Sequence, residues 1–306
     1  MEKSLITHVR YAAQEVPNFK QACDFYGGIW GLTKVASDSG IAFYAAEGST
    51  EPYVLRLREG AEKHFEILAF GVANAIDVDT LAERLLRNGV KIDTRPGLLQ
   101  TPGGGYGLRF FDCDGRLVEV SADVQLRQAR ELEAGESIPV KLSHIVINTE
   151  NILATKKFYE DNLGFRLTDW LSNFMCFMRV GPVHHVIAIT QGPHVSLNHV
   201  SFEMRGIDEY MRGTGRMMRY GLDPLWGPGR HGPGNNTFSY FADPNGNVCE
   251  YTTDLEVIKN EENWVPRCFE TTPEASDQWG TGGNFEEYIP YALNDPDKRL
   301  WMPSPI

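Results

Sequence analysis

Three residues of this chain have the types and spacing to hold a metal ion: His144, His199 and Glu250, separated by 55 and 51 residues. Two neutral imidazoles and one carboxylate leave three positions of an octahedral ion open, the donor set of non-haem Fe(II) oxygenases. Zinc is more often closed by cysteines or tetrahedral histidine sets, and calcium by oxygen alone. The donors therefore point to Fe(II), with Mn(II) as the alternative. Any one of the three alone would read as a hydrogen-bonded histidine or glutamate on a strand. The trio together does not.

The segments around these residues alternate, as in His199/Ser201 against Val200/Phe202. That period of two predicts strands with the three donors on one sheet face. The chain also repeats itself. LITHVRYA followed by DFYGGIWGL answers to LSHIVIN followed by KFYEDNLGF. KHFEILAFGV, the helical DTLAERLLRNGV and FFDCDGRLVEVSAD then answer to NHVSFEMRGI, DEYMRGTGRMMRYGL and YFADPNGNVCEYTTD. Aligned on histidines, the first half carries a second trio, His8, His64 and Glu119, and the period shrinks from 136 to 131 residues. The charged stretch VQLRQARELEAGESIP, ending at Pro139, reads as an exposed connection between the halves.

Composition sets the outer bounds. With 306 residues, 42% hydrophobic and 23% charged, the chain has the make-up of an ordinary globular protein of about two domains. A net charge of −12 repels phosphate backbones, so nucleic acid is not expected as a partner. Nowhere are there the roughly 20 apolar residues that span a bilayer, and MEKSLITHVRY does not resemble a secretory leader. A cytoplasmic protein without membrane contact is the expectation. Five cysteines without CxxC spacing predict reduced thiols rather than a disulfide framework or zinc knuckle. GPGRHG satisfies the dinucleotide fingerprint in form only; it is expected to be a loop, because no helix opens after it. NNT at Asn235 and GGGYG at 103–107 are read as a chance sequon and a hairpin loop.

LSHIVIN, HHVIAI, LNHVSFE and GPGRHGPGNNTFSYFADPNGNVCEYTTD resemble the type I extradiol ring-cleaving dioxygenases of the vicinal oxygen chelate (glyoxalase/bleomycin-resistance/dioxygenase) superfamily, similar to catechol 2,3-dioxygenases, over about residues 1–255. The resemblance implies an α+β fold of two tandem domains, each of paired βαβββ modules forming a partly open barrel around a cavity. Residues 1–130 would be a domain without a working metal site, 131–255 the catalytic domain and 256–306 an arm or lid. It implies metal ligands at His144, His199 and Glu250, with His185, 14 residues before His199, as the acid–base residue. His231, and Tyr240 ten residues before Glu250, would contact substrate. Strand parity lets only one of His184 and His185 face the site, and the 14-residue match with the A-I pair three residues on favours His185. Thr50 and Arg109 stand where the first half would need a histidine and a tyrosine, so His8, His64 and Glu119 read as a relic.

The implied reaction is cleavage of a catechol-type diol by dioxygen to a muconic semialdehyde-type product, in a homo-oligomer. Hydroquinone cleavage, or a non-catalytic ligand-binding module of the same superfamily, are the alternatives. A glyoxalase-like zinc lyase usually calls for a fourth protein ligand, which the sequence does not place. Trp170, Phe174 and Met178 are candidates for the pocket wall, and the aromatic tail with Trp264, Trp279 and Trp301 for a lid over it.

Overall fold

The structure is a computed structural model that describes residues 4–304, so the first three residues of the N-terminal stretch read above lie outside the described residues. The chain opens with β1 (Ile6–Val16), α1 (Phe19–Gly27), β2 (Thr33–Asp38), β3 (Ile41–Ala45) and β4 (Leu55–Glu59), a βαβββ module. The module recurs as β5 (His64–Val72), α2 (Ala75–Arg87), β6 (Ile92–Leu98), β7 (Tyr106–Phe111) and β8 (Leu117–Ala122). A third comprises β9 (Lys141–Thr149), α3 (Ile152–Leu163), β10 (Arg166–Leu171), β11 (Met175–Arg179) and β12 (Ile187–Gln191). The fourth is β13 (Ser196–Glu203), α4 (Ile207–Arg219), β14 (Trp226–Arg230), β15 (Thr237–Ala242) and β16 (Val248–Thr253). A tail adds β17 (Arg267–Phe269), α5 (Pro273–Ser276) and α6 (Phe285–Leu293).

The eight-stranded first sheet runs β2-β3-β4-β1-β5-β8-β7-β6. The nine-stranded second sheet, read from its tail strand, runs β17-β10-β11-β12-β9-β13-β16-β15-β14, the same order with one strand added. Both are open, and the expected α+β architecture of paired βαβββ modules is present. Local signals fix the ends of the helices. Asn151 caps α3 by accepting from the Ala154 N–H, and Gly164 ends it at φ 74°, a left-handed conformation in which glycine meets no Cβ penalty. One expectation fails here. Trp226–Arg230 of the glycine-proline stretch is an edge strand, β14, rather than a loop, because only an edge can accommodate a proline that offers no N–H.

Strand alternation sorts the apolar residues into two sets. One face of each sheet, with all four long helices, builds a single core through both halves, in which Trp30 stacks on Tyr251 at 3.9 Å and Phe70 meets Phe165 at 5.3 Å. The other face of each sheet lines a cup. In the first half that cup is packed with Tyr11, Ala13, Phe43, Tyr53, Ile67, Ala69, Phe111 and Leu117.

Cross-strand register corrects the frame of the repeat. Ser201 stands opposite both His144 on β9 and Glu250 on β16. In the first half Ala69 holds that place, opposite Tyr11 on β1 and Glu119 on β8. The counterparts of His144, His199 and Glu250 are therefore Tyr11, Ile67 and Glu119. His8 and His64 lie three residues out of frame, and the Phe25–Tyr26 and Phe158–Tyr159 pairs keep the corrected frame. The three residues of the N-terminal trio have separate partners: His8 Nε2 meets Glu51 at 2.8 Å, His64 Nδ1 meets Asp297 at 2.6 Å, and Arg109 Nε donates to Glu119 at 2.9 Å.

Candidate metal centre and pocket

His144 comes from β9, His199 from β13 and Glu250 from β16, three adjacent strands at the middle of the second sheet. Register irregularities bracket the site, with an extra residue on β13 between Leu197 and His199 and an extra residue on β9, Ser143, opposite the step from Ser201 to Phe202. Such irregularities re-aim side chains, here toward the cup. Tyr240 on β15 stands opposite Glu250, and Trp226 on β14 opposite Tyr240. A single cross-strand row thus carries His144, Ser201, Glu250, Tyr240 and Trp226.

The three donors face one another. Glu250 Oε2 lies 3.1 Å from His144 Nε2 and 3.5 Å from His199 Nε2, and the ligand atoms of the trio fall within 4.8 Å of each other. His199 Nε2 and both Glu250 carboxylate oxygens are buried without a hydrogen-bond partner. Orphaned lone pairs of this kind are costly in a protein interior; a cation among them removes the cost, so these residues fit a divalent ion. The opposite ring nitrogens are already occupied. His144 Nδ1 is 3.1 Å from Ser143 Oγ and His199 Nδ1 is 2.7 Å from Asn198 Oδ1, which turns each Nε2 inward. Burial pushes the Glu250 carboxyl up, but the imidazoles of His144 and His199 outweigh it and hold it well below the usual carboxylate range. Burial also lowers His199.

Beside the trio lies a cavity of about 290 Å³, lined by the predicted residues His185, His231, Tyr240 and Phe174 as well as His144 and His199. His185 packs edge-on against His144 with ring centroids 4.4 Å apart. Burial is the main cause, and the neighbouring histidines His144 and His184 a further one, of a His185 ring held well below its ordinary pKa. His231 donates from Nδ1 to the Ser276 carbonyl at 2.8 Å, so its Nε2 accepts from the Tyr240 hydroxyl at 2.8 Å. Burial lowers His231 to about 4 and raises Tyr240 well above 10, so both are neutral near pH 7.

Two of the expected wall residues are elsewhere. Met178 and Trp170 pack against the helix-facing core, because Met178 has the opposite parity to Phe177, which does line the cavity. His184 and His185 stand three and two residues before the start of β12 and so are not strand neighbours of opposite parity. His185 lines the cavity, and His184 is fully buried behind it.

Several contributors were missed. Leu171, Met175 and Phe177 line one wall, and Phe285, Tyr288, Ile289, Ala292 and Leu293 of the tail close another. The Tyr288 hydroxyl stands 3.2 Å from both Asn198 Oδ1 and His199 Nδ1, and its ring stacks on Tyr240 at 4.5 Å. Asn148 ties α6 down by donating to the Ala292 carbonyl at 2.8 Å. Asn148 and Asn198 were visible as polar residues within apolar strands, a signal of buried hydrogen bonding.

A model of the Glyoxalase/Bleomycin resistance protein/Dioxygenase superfamily matches residues 141–251, the stretch that carries all three donors. The chain resembles the crystal structure of an Mn(II)-bound glyoxalase from Novosphingobium aromaticivorans, at 40% identity and a TM-score of 0.94 over 98% of this chain and 99% of that one. It is 27% identical to metapyrocatechase 2 of Cupriavidus necator over 89% of this chain and 88% of that protein. It is 25% identical to the manganese-dependent 2,3-dihydroxybiphenyl 1,2-dioxygenase of Geobacillus genomosp. 3, over 74% and 78% respectively. The chain belongs to the Glyoxalase/Bleomycin resistance protein/Dioxygenase superfamily.

Proposed function

We propose that this protein is an extradiol dioxygenase that opens a catechol-type ring with dioxygen, using Fe(II) or Mn(II) held by His144, His199 and Glu250. The observation that carries this reading is the set of buried, unpartnered donor atoms at the edge of an aromatic-lined cavity near the small end of the usual pocket range, about 300–1,000 Å³. The relatives named as metapyrocatechase and as a dihydroxybiphenyl dioxygenase support it. When bound, the ion supplies positions at which the two adjacent oxygens of a diol and dioxygen meet.

The protein's own part is to orient and to move protons. His185, neutral and beside His144, takes a proton from the diol as it binds and returns one later in the reaction. Tyr240, its hydroxyl proton directed to His231, lines the cavity and offers its oxygen to a substrate hydroxyl. The aromatic walls and α6 exclude water. No lysine or arginine lines the cavity among the described residues. A ring bearing a carboxylate would be buried there without a counter-charge, so the preferred substituents are uncharged and apolar.

In this reading residues 1–130 carry no working metal site, 131–255 are catalytic and 256–306 form an arm whose α6 acts as a lid over the pocket. Unpaired cysteines suit a reducing, cytoplasmic setting, where the enzyme would work as a homo-oligomer. No helix among the described residues is long and apolar enough to cross a membrane. The test is anaerobic reconstitution with Fe(II) or Mn(II), followed by oxygen uptake and yellow ring-opened product with a panel of catechols and hydroquinones. Protein shown to hold the ion that takes up no dioxygen with any of them overturns the reading. The 40%-identical glyoxalase favours a second reading, a glyoxalase-type reaction that consumes no dioxygen, and the same protein should be assayed for it.

A further inference from the structure

A second buried cluster stands directly behind the pocket. His184 Nε2 lies 2.9 Å from Asp169 Oδ2, and His184 Nδ1 lies 2.8 Å from His185 Nδ1. His184 and Asp169 are both 0% exposed. Asp169 also accepts from Arg267, through Nη2 at 2.6 Å, Nε at 2.9 Å and the backbone N–H at 2.7 Å. Arg267 reaches it because β17 of the tail pairs in parallel beside β10, with Arg267 opposite Asp169. The Arg267 guanidinium bridges onward to Glu256 at 2.6 Å and lies 4.6 Å from the Trp264 ring. Although Asp169, His184 and Glu256 could form a metal-holding group, the guanidinium already supplies the cation between the two carboxylates.

Counting protons assigns the donors. A carboxylate surrounded by N–H groups can only accept, so His184 carries its proton on Nε2. Asp169 already has its counter-charge in the Arg267 guanidinium, so His184 serves it as a neutral N–H donor. Neutral His184 therefore has a bare Nδ1. Two imidazole nitrogens 2.8 Å apart need one proton between them, and only His185 can provide it.

We propose that Asp169 and His184 are positioning residues that lock His185 in the tautomer with its proton on Nδ1, leaving Nε2 bare for the pocket. His185 then meets a substrate hydroxyl as an acceptor, already in the form a proton-abstracting base requires. The chain Arg267–Asp169–His184–His185 gives the tail a role inside the site: it holds the carboxylate that sets the proton. The use of His185 as a base rests on the ring-cleaving reading of the preceding section; the tautomer does not.

The test separates the two. In the Zn(II)-loaded protein, which is diamagnetic, long-range ¹H–¹⁵N correlation of ¹⁵N-histidine, assigned against His185→Phe, should place the His185 proton on Nδ1. A proton on Nε2 overturns the proposal whether or not the enzyme opens catechols. For turnover, His184→Gln keeps an acceptor toward His185 and a donor toward Asp169, whereas His184→Leu keeps neither. His184→Leu should lose about 10²-fold in kcat, the lower end of what acid–base catalysis contributes, with KM and metal content unchanged. His184→Gln should recover most of it. A purely packing role would predict the reverse order, and equal kcat in both variants would overturn the proposal.

Discussion

The two halves of this molecule have the same strand order and the same cup, and they fill it differently. In the second half the row across the sheet carries His144, Glu250 and Tyr240; in the first, the matching places hold Tyr11, Glu119 and Arg109. Even the ring contact survives: Tyr11 and Tyr53 stand 4.6 Å apart where His144 and His185 stand 4.4 Å apart. The glutamate is common to both cups. What differs is its partner. Glu250 has buried oxygens facing two imidazoles, while Glu119 is neutralised by the Arg109 guanidinium within an aromatic core. One carboxylate position thus serves as a metal ligand when cations are withheld from it and as half of an ion pair when one is supplied.

The largest test of this contrast is a pair of substitutions at equivalent positions. Glu250→Gln should empty the protein of iron or manganese, measured by elemental analysis after desalting, and reduce oxygen uptake to background. Glu119→Leu should leave one ion per chain and near-normal kcat, but leave Arg109 buried without its partner, a loss of about 3–5 kcal/mol in urea unfolding. Loss of metal from the Glu119 variant would place a working ion in the first half and end the contrast. The next pair is His185→Phe and Tyr53→Phe. The first should retain metal and lose about 10²–10⁴ in kcat; the second should leave kcat within a few-fold.

Much of the site was legible because its parts are chemically rare. Three donors in strand-like segments, with the resemblance around them, named His144, His199, Glu250, His185, His231 and Tyr240; the structure lines one cavity with the five histidine and tyrosine side chains and sets Glu250 against His144 and His199. The repeat was legible in outline but misframed by three residues, because histidines are eye-catching while the Phe-Tyr pair that packs the core is what keeps the frame. The tail was hardest to read. Tyr288, Phe285 and Arg267 lie outside the repeat, in segments whose periodicity says nothing of where they dock, and they are positioned by long-range hydrogen bonds such as those from Asn148 to the end of α6. The lone Asp169 of the strand LTDWL was the overlooked clue: a buried charge requires partners, and the Arg267 guanidinium and the His184 N–H are those partners.

A smaller effect concerns the connection between the halves. Glu209 on α4 accepts from the backbone N–H groups of Gly135 and Ser137 and from Arg205. Burial alone would raise its carboxyl, but the Gly135 N–H, Arg205 and Ser137 together outweigh burial and hold it at about 2, below its ordinary 4.5. A depressed carboxyl stabilises the fold above its unfolded pKa and ceases to do so as pH falls through the folded value. The urea midpoint of the wild type should therefore exceed that of Glu209→Gln at neutral pH, and the difference should shrink between pH 4.5 and 2. A difference independent of pH across that window would remove the carboxylate as the cause.

The smallest test concerns how the tail treats the two cups. Over the first it acts as filler: Ser304 Oγ accepts from Arg56 at 2.9 Å and donates to Glu66 at 2.9 Å, and Trp301 packs on Phe111 at 5.6 Å. Over the second it contacts the ligand sphere through the Tyr288 hydroxyl. Ser304→Ala and Tyr288→Phe each remove one hydroxyl, worth about 0.5–1.5 kcal/mol as a typical hydrogen bond. The first should appear only as a lowered urea midpoint, with kcat and KM unchanged. The second should leave His199 held by Asn198 and so keep the metal, yet change KM a few-fold, because the stacked Tyr240–Tyr288 pair that walls the cavity is no longer pinned at its hydroxyl end. If Tyr288→Phe lowers stability without touching KM, the tail is filler over both cups and the pocket is the work of the sheet alone.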